Sequence, residues 1–221
     1  MPCVLIDNGK KPNELYNARL GFWLPPQTPY GNFQLKFMKI VERLDEANRK
    51  IEESFGFWER IIASPNGMQF DNVYPRHVFA NEQAIYMMRR AADELISLIW
   101  CLSEHEKTGA YPETIKVDCL GDVLKTAEKK KPIVLYQPHL NFIEILNEVA
   151  NAFKHSFINS DINLFGAQEP CVHALGLKDN RLSAGEKFHN VALAALVRDY
   201  SAFYQTCLQW LRDYSERNRG S

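Results

Sequence analysis

Residues 33–62, FQLKFMKIVERLDEANRKIEESFGFWERII, decide how the rest of the chain is read. Met38, Val41, Leu44, Ile51, Phe55, Trp58, Ile61 and Ile62 recur at three- and four-residue steps between Lys, Glu and Arg, the spacing that lines apolar groups along one side of an α-helix. The stretch predicts one long amphipathic helix, stopped by Ser64-Pro65-Asn66-Gly67. Such a helix must bury its stripe against other elements, and downstream periodicity supplies them. A loop containing Pro75 leads to a second helix near Phe79 to Ser103, where Ala84, Met88, Ala91, Leu95, Leu98, Ile99 and Leu102 form the stripe. Pro112 marks a less regular region, followed by a short helical piece around Leu120 to Glu128. Lys129-Lys130-Lys131 then reads as a solvated loop, with a phosphate contact as the alternative.

Pro138 is expected to open a third long helix reaching about Phe157, with Asn159-Ser160-Asp161 marking its end. Residues 162 to 183 contain Cys171-Val172-His173-Ala174-Leu175 and read as a short strand pair or an irregular excursion. Ser183 with Glu186 three residues on matches a capping box, so the last helix is expected from Ser183 to about Tyr214. Four long helices predict a mainly α protein, a four-helix bundle with a short β-like excursion before the last helix. Residues 1–32 carry five of the eleven prolines among Tyr16, Phe22, Trp23 and Tyr30, and read as an ordered arm pinned to the bundle by its aromatics. Pro26-Gln27-Thr28-Pro29 within it is formally a PxxP, which leaves a partner-binding arm as the alternative. Residues 33–217 form the single helical domain and 218–221 a flexible tail.

Composition excludes several classes. The chain has 221 residues, 46% hydrophobic and 24% charged, with a net charge of -1, which is the profile of a globular chain. Charge that balanced offers no global field for nucleic acid or an anionic membrane, so any such binding needs a local patch. No secretory h-region or long apolar span is visible, and the expected location is the cytoplasm, with no membrane association. Cys3, Cys101, Cys119, Cys171 and Cys207 are scattered and lack a CxxC pair, which fits reduced thiols better than a zinc site. P-loop, GxGxxG and GxSxG signatures are absent.

The third helix is the unusual one. On a helical wheel Phe142, Leu146, Val149, Phe153 and Phe157 fall on the core side, while Asn141, Glu144, Asn147, Glu148, Asn151 and His155 fall opposite, with Lys154 at the margin. Asparagine is a poor helix-interior residue because its amide competes for backbone groups. Three of them aligned with a histidine and two carboxylates point to a polar site or a subunit interface, the alternative being an ordinary solvated face.

Within that helix Asn147-Glu148-Val149-Ala150-Asn151-Ala152-Phe153-Lys154-His155 resembles the signature of HEPN domains, four-helix proteins of prokaryotic defence and toxin systems and some eukaryotic ribonucleases. Their motif is an Arg, usually followed by a polar residue that is often Asn, and a His four to six residues after the Arg. Asn151 and His155 match the polar and histidine positions, and Ala150 stands where the family has Arg. The resemblance implies a homodimer whose cleft engages RNA, a nucleotide or a protein partner, with His155 and Asn151 in any catalytic role. Asn147, Glu148, Lys154 and Glu144 would then bind. Cleavage of RNA without a metal needs proton transfer and a cation to stabilise the phosphorane. Lys154, adjacent to His155, points about 100° away on the helix and cannot supply that cation on the same face. Arg89 or Arg90 on the second helix are substitutes, although Asp93 and Glu94 four residues on read first as their ion-pair partners.

The expected function is therefore a non-cleaving, HEPN-like binding or regulatory component of a defence or toxin-type system. Alternatives are a ribonuclease using His155, a metal-binding helical bundle, and a purely structural dimerisation module. For the metal version, Glu186 and His189 form an ExxH without a second copy, and Glu144, Glu148 and His155 would add ligands. No cofactor or metal is expected under the preferred reading. His77, His105, His139 and His173 read as loop or helix-end residues on the surface.

Overall fold

The computed structural model describes residues 2–9, 22–63, 73–155, 169–177, 181, 183 and 185–218. Five α-helices dominate it: α1 (Phe33–Ala63), α2 (Val73–Thr108), α3 (Leu120–Glu128), α4 (Leu140–His155) and α5 (Leu193–Arg217), with a 3-10 turn at Val134–His139. Strands β1 (Cys171–Leu177) and β2 (Glu186–Ala192) form one antiparallel pair, with Val172 opposite Val191 and Ala174 opposite His189. The protein is thus mainly α, as the periodicity predicts. Among the described residues no helix is long and apolar enough to cross a membrane.

Local chemistry explains the boundaries. Asn32 caps α1 through its Oδ1, which accepts the Leu35 N–H at 2.9 Å. Pro75, expected in a loop, lies in the first turn of α2, where the backbone N–H groups have no helical acceptor and a missing one costs little. Pro138 likewise sits inside the 3-10 turn, and α4 begins two residues after it. Lys130 ends α3 at a φ of 56°, with its N–H on Ala127 O and the Lys131 N–H on Thr126 O, the paired closure of a Schellman motif. The lysine run is a helix end. Its side chains are exposed.

The last helix starts at Leu193 and not at Ser183, because residues 186–192 are a strand. Lys187 and His189, two residues apart, project from one face of β2 and both reach Glu148 of α4. A helix would turn them about 200° apart and lose one contact. Ser183-x-x-Glu186 is therefore not a helix cap. Glu186 and His189 fall on opposite faces of the strand, so the ExxH spacing no longer places two ligands together.

Packing follows from the stripes. α1 and α2 lie against each other along most of their length, and α2 also meets α3, α4 and α5. Leu44 and Ile51 of α1, Met88 and Leu95 of α2, Ile143 and Leu146 of α4, and Val197 and Leu211 of α5 are fully buried in one core. Each such side chain contributes about 1.5–3 kcal/mol relative to exposure. Phe142, Tyr200 and Phe203 form an aromatic cluster between α4 and α5, and the Tyr200 hydroxyl donates to Met88 O at 3.0 Å. The described parts of the arm pack onto the helices: Ile6 is buried with its backbone held by the Asn48 amide, and Phe22 stacks edge-on against Phe37. Residues 26–29 run along the surface, with Pro26, Gln27 and Pro29 exposed. Ser64-Pro65-Asn66-Gly67, Phe157 and the Asn159-Ser160-Asp161 helix end lie outside the described residues.

Candidate functional site

A groove of about 520 Å³ opens between α2 and the second half of α4. Helical spacing sets its first wall, because Glu82, Tyr86, Arg89 and Asp93 recur at three- and four-residue steps on α2. Asn151 and Lys154 project from the second wall, with Ala150 and Phe153 beside them.

Arg89 organises the groove. Its Nε donates to both oxygens of Asp93, at 3.1 and 2.9 Å, and its Nη1 reaches Asn151 Oδ1 on α4 at 3.5 Å. That second contact is long for a hydrogen bond and correspondingly weak. Asp93 does a further job, since its Oδ1 accepts the Leu120 N–H at 2.9 Å and caps α3 from outside. Burial holds the Asp93 carboxyl above its ordinary range, opposed by Arg89 and by the Leu120 hydrogen bond. Burial also raises Glu82. Arg90 pairs with Glu94 at 2.8 Å as its spacing predicts, and Tyr86 presents an exposed ring at the groove edge. Lys154 is exposed and, among the described residues, joins no ion pair.

The polar row on α4 is divided among three neighbours. Glu148 bridges to β2, with Lys187 Nζ at 2.5 Å and His189 Nε2 at 3.6 Å. Glu144 is exposed, and its charge acts on the same His189. Burial lowers the His189 pKa, Glu148 opposes the shift, and Lys187 adds to it. Asn147 faces α3: a methyl placed on Gly121 would lie 3.8 Å from its Oδ1. Of this polar row, Asn151 and Lys154 line the groove. His155 is exposed at the last position of α4, one turn beyond Asn151. The α2 residues Tyr86, Glu82 and Asp93 were not legible as site residues, because α2 shows an ordinary amphipathic pattern.

Two other polar clusters take different roles. His77, expected on the surface, is buried within α2 in a network with Ser54 and Asn81. The Ser54 hydroxyl donates to Asn81 Oδ1 at 2.6 Å, which leaves His77 Nδ1–H to donate toward Ser54 O at 3.1 Å. Nε2 then accepts from Asn81 Nδ2, whose other hydrogen goes to Cys171 O of β1. A neutral imidazole satisfies every partner, and burial lowers its pKa. Sealed this way, Ser54, His77 and Asn81 join α1, α2 and β1 and are closed to substrate. Asp118, Cys119 and Asp122 lie together at the start of α3. Burial pushes the Cys119 thiol up to about 11, so it stays protonated, and Lys125 already pairs with Asp122 at 2.8 Å.

Fold and groove thus define a mainly helical protein with a polar cleft between two long helices. No family model, curated protein or solved structure matches the chain.

Proposed function

We propose that the chain is a HEPN-like, non-cleaving binding or regulatory protein that takes a phosphate of RNA or of a nucleotide into the α2–α4 groove. One observation carries the reading: the guanidinium of Arg89, anchored by Asp93, reaches across the groove to Asn151 through a 3.5 Å contact. Asp93 fixes the fork in place, while the loose Asn151 contact is easily exchanged for a phosphate oxygen. Lys154 adds a second cation from the opposite wall, and the Tyr86 ring offers a face for a base. Binding is confined to one phosphate or two because Glu82 and Asp93 share the cleft. Homodimerisation and a role in a defence or toxin-type system belong to the same proposal and rest on the resemblance around Asn151 and His155.

Absence of cleavage follows from charge. Asp93 takes the Nε edge of Arg89, so the remaining N–H groups can hold a phosphate oxygen, but with the Glu82 and Asp93 carboxylates in the same cleft they stabilise the added charge of a phosphorane poorly. The ribonuclease reading has one observation in its favour: Arg89 arrives beside Asn151, next to the place where the family has Arg and this chain has Ala150. Incubation of the protein with an end-labelled RNA panel separates the two. Intact RNA with saturable binding supports the proposal; cleavage that His155→Ala abolishes establishes the alternative, and neither binding nor cleavage overturns both.

A further inference from the structure

A second groove, between α1 and α2, encloses about 460 Å³, within the range of about 300–1,000 Å³ typical of small-ligand sites. Its lining separates by chemistry. Phe33, Ile40, Leu98 and Cys101 are buried and form an apolar floor, and half-buried Ile115 closes it from the segment between α2 and α3. Lys36, Lys39, Arg43 and Arg90 also line it, and among the described residues Glu94 is the one carboxylate in the lining. Glu94 is already held by both arginines, by Arg43 Nη2 at 3.0 Å and Arg90 Nε at 2.8 Å. Lys39 pairs with Glu42 at 2.6 Å, and Lys36 joins no ion pair among the described residues. Positive charge is thus in excess here, in a chain whose net charge is -1. The groove end is fixed in advance, because the Tyr30 hydroxyl donates to Pro112 O at 2.6 Å and ties the arm to the segment that carries Ile115.

We propose that this groove binds an anionic amphiphile, a small ligand with an apolar chain or ring and a carboxylate or phosphate head. The apolar floor takes the body by exclusion of water, and Lys36 with Lys39 takes the head. A bare inorganic anion would leave the floor uncovered, and a cationic amphiphile would meet like charges.

Isothermal titration of the full chain tests this with dodecanoate, dodecyl phosphate, dodecyltrimethylammonium and inorganic phosphate, the amphiphiles held below their micellar concentrations. Single-site binding of dodecanoate or dodecyl phosphate is expected, with at least tenfold weaker binding of the cation and of inorganic phosphate. The exposed double substitution Lys36→Glu/Lys39→Glu is expected to weaken binding of the anions at least tenfold. Ile115→Trp, which narrows the groove, is expected to do the same at an unchanged melting temperature. Equal binding of the cationic amphiphile, no binding of either anion, or affinity unchanged in both variants overturns the proposal. Neither substitution touches the α2–α4 groove.

Discussion

Arg89 of α2 and Asn151 of α4 meet across the groove with Nη1 and Oδ1 3.5 Å apart, while the same guanidinium is chelated through Nε by Asp93. One firm contact and one loose contact on a single side chain give the site its character. Asp93 decides where the cation sits, and Asn151 holds it only loosely from the opposite wall.

Asp93 therefore supports both the site and the fold. Asp93→Ala removes the cap on Leu120 and strands Arg89 in a half-buried position, at a cost of about 2–3 kcal/mol from the cap and the broken pair together. Asp93→Asn keeps an acceptor for the Leu120 N–H and is expected to cost less than half as much. Urea denaturation of the two variants measures the difference; equal losses would show that the cap contributes nothing.

Stability is expected to fall as pH drops from 7 to 5. His77, His139, His173 and His189 all have lowered pKa values with burial as the largest cause. A lowered folded value means that the unfolded chain, with histidine near about 6.5, binds protons first. Stability from these groups is complete above that value and is lost as pH falls through the folded values. Melting temperatures across this window check the sign, and His77→Gln is expected to flatten the slope. A rise in stability on acidification would contradict the buried, neutral His77 network.

Lys130→Gly is expected to stabilise the protein by about 1 kcal/mol, since Lys130 closes α3 with a left-handed backbone that glycine adopts without steric cost. Thermal melting or urea midpoints read this directly. A destabilised variant would mean that the lysine side chain contributes more than its backbone costs.

Glu148→Gln removes the charge that opposes the lowering of His189. The His189 pKa should fall further in an NMR titration, with a stability loss below about 1 kcal/mol because the Lys187 pair is largely exposed. An unchanged His189 would break the proposed link between α4 and β2.

Much of the helical framework was legible because long stripes repeat a signal many times. The Leu44 and Leu95 stripes, the Leu120 to Glu128 helix and the Arg89–Asp93 and Arg90–Glu94 pairs are all local in sequence. β2 is not legible in the sequence, because Ser183 and Glu186 match a capping box and the alternation of Lys187, His189 and Val191 spans too few residues to oppose it. What settles that segment is its pairing with β1 and the reach of Glu148, both distant in sequence. The row on α4 has the same lesson. A wheel shows one polar face, yet α4 touches α2, α3 and β1, so Asn151, Asn147 and Glu148 each turn to a different neighbour. His77 reads as a surface residue in the sequence because its partner Ser54 lies on another element, as does Cys171, whose carbonyl holds the neighbouring Asn81.

Phosphate binding in the α2–α4 groove is read by fluorescence anisotropy with a labelled single-stranded RNA on the parent and on Lys154→Gln. Lys154 is exposed and unpaired among the described residues, so its substitution leaves the fold intact. The parent is expected to bind with a shallow salt dependence, a log–log slope of about −0.7 per phosphate contacted. Lys154→Gln should weaken binding several-fold and reduce that slope by about one contact's share. Equal affinity and equal slope in the two proteins, or no binding by the parent, would rule out a phosphate site in this groove.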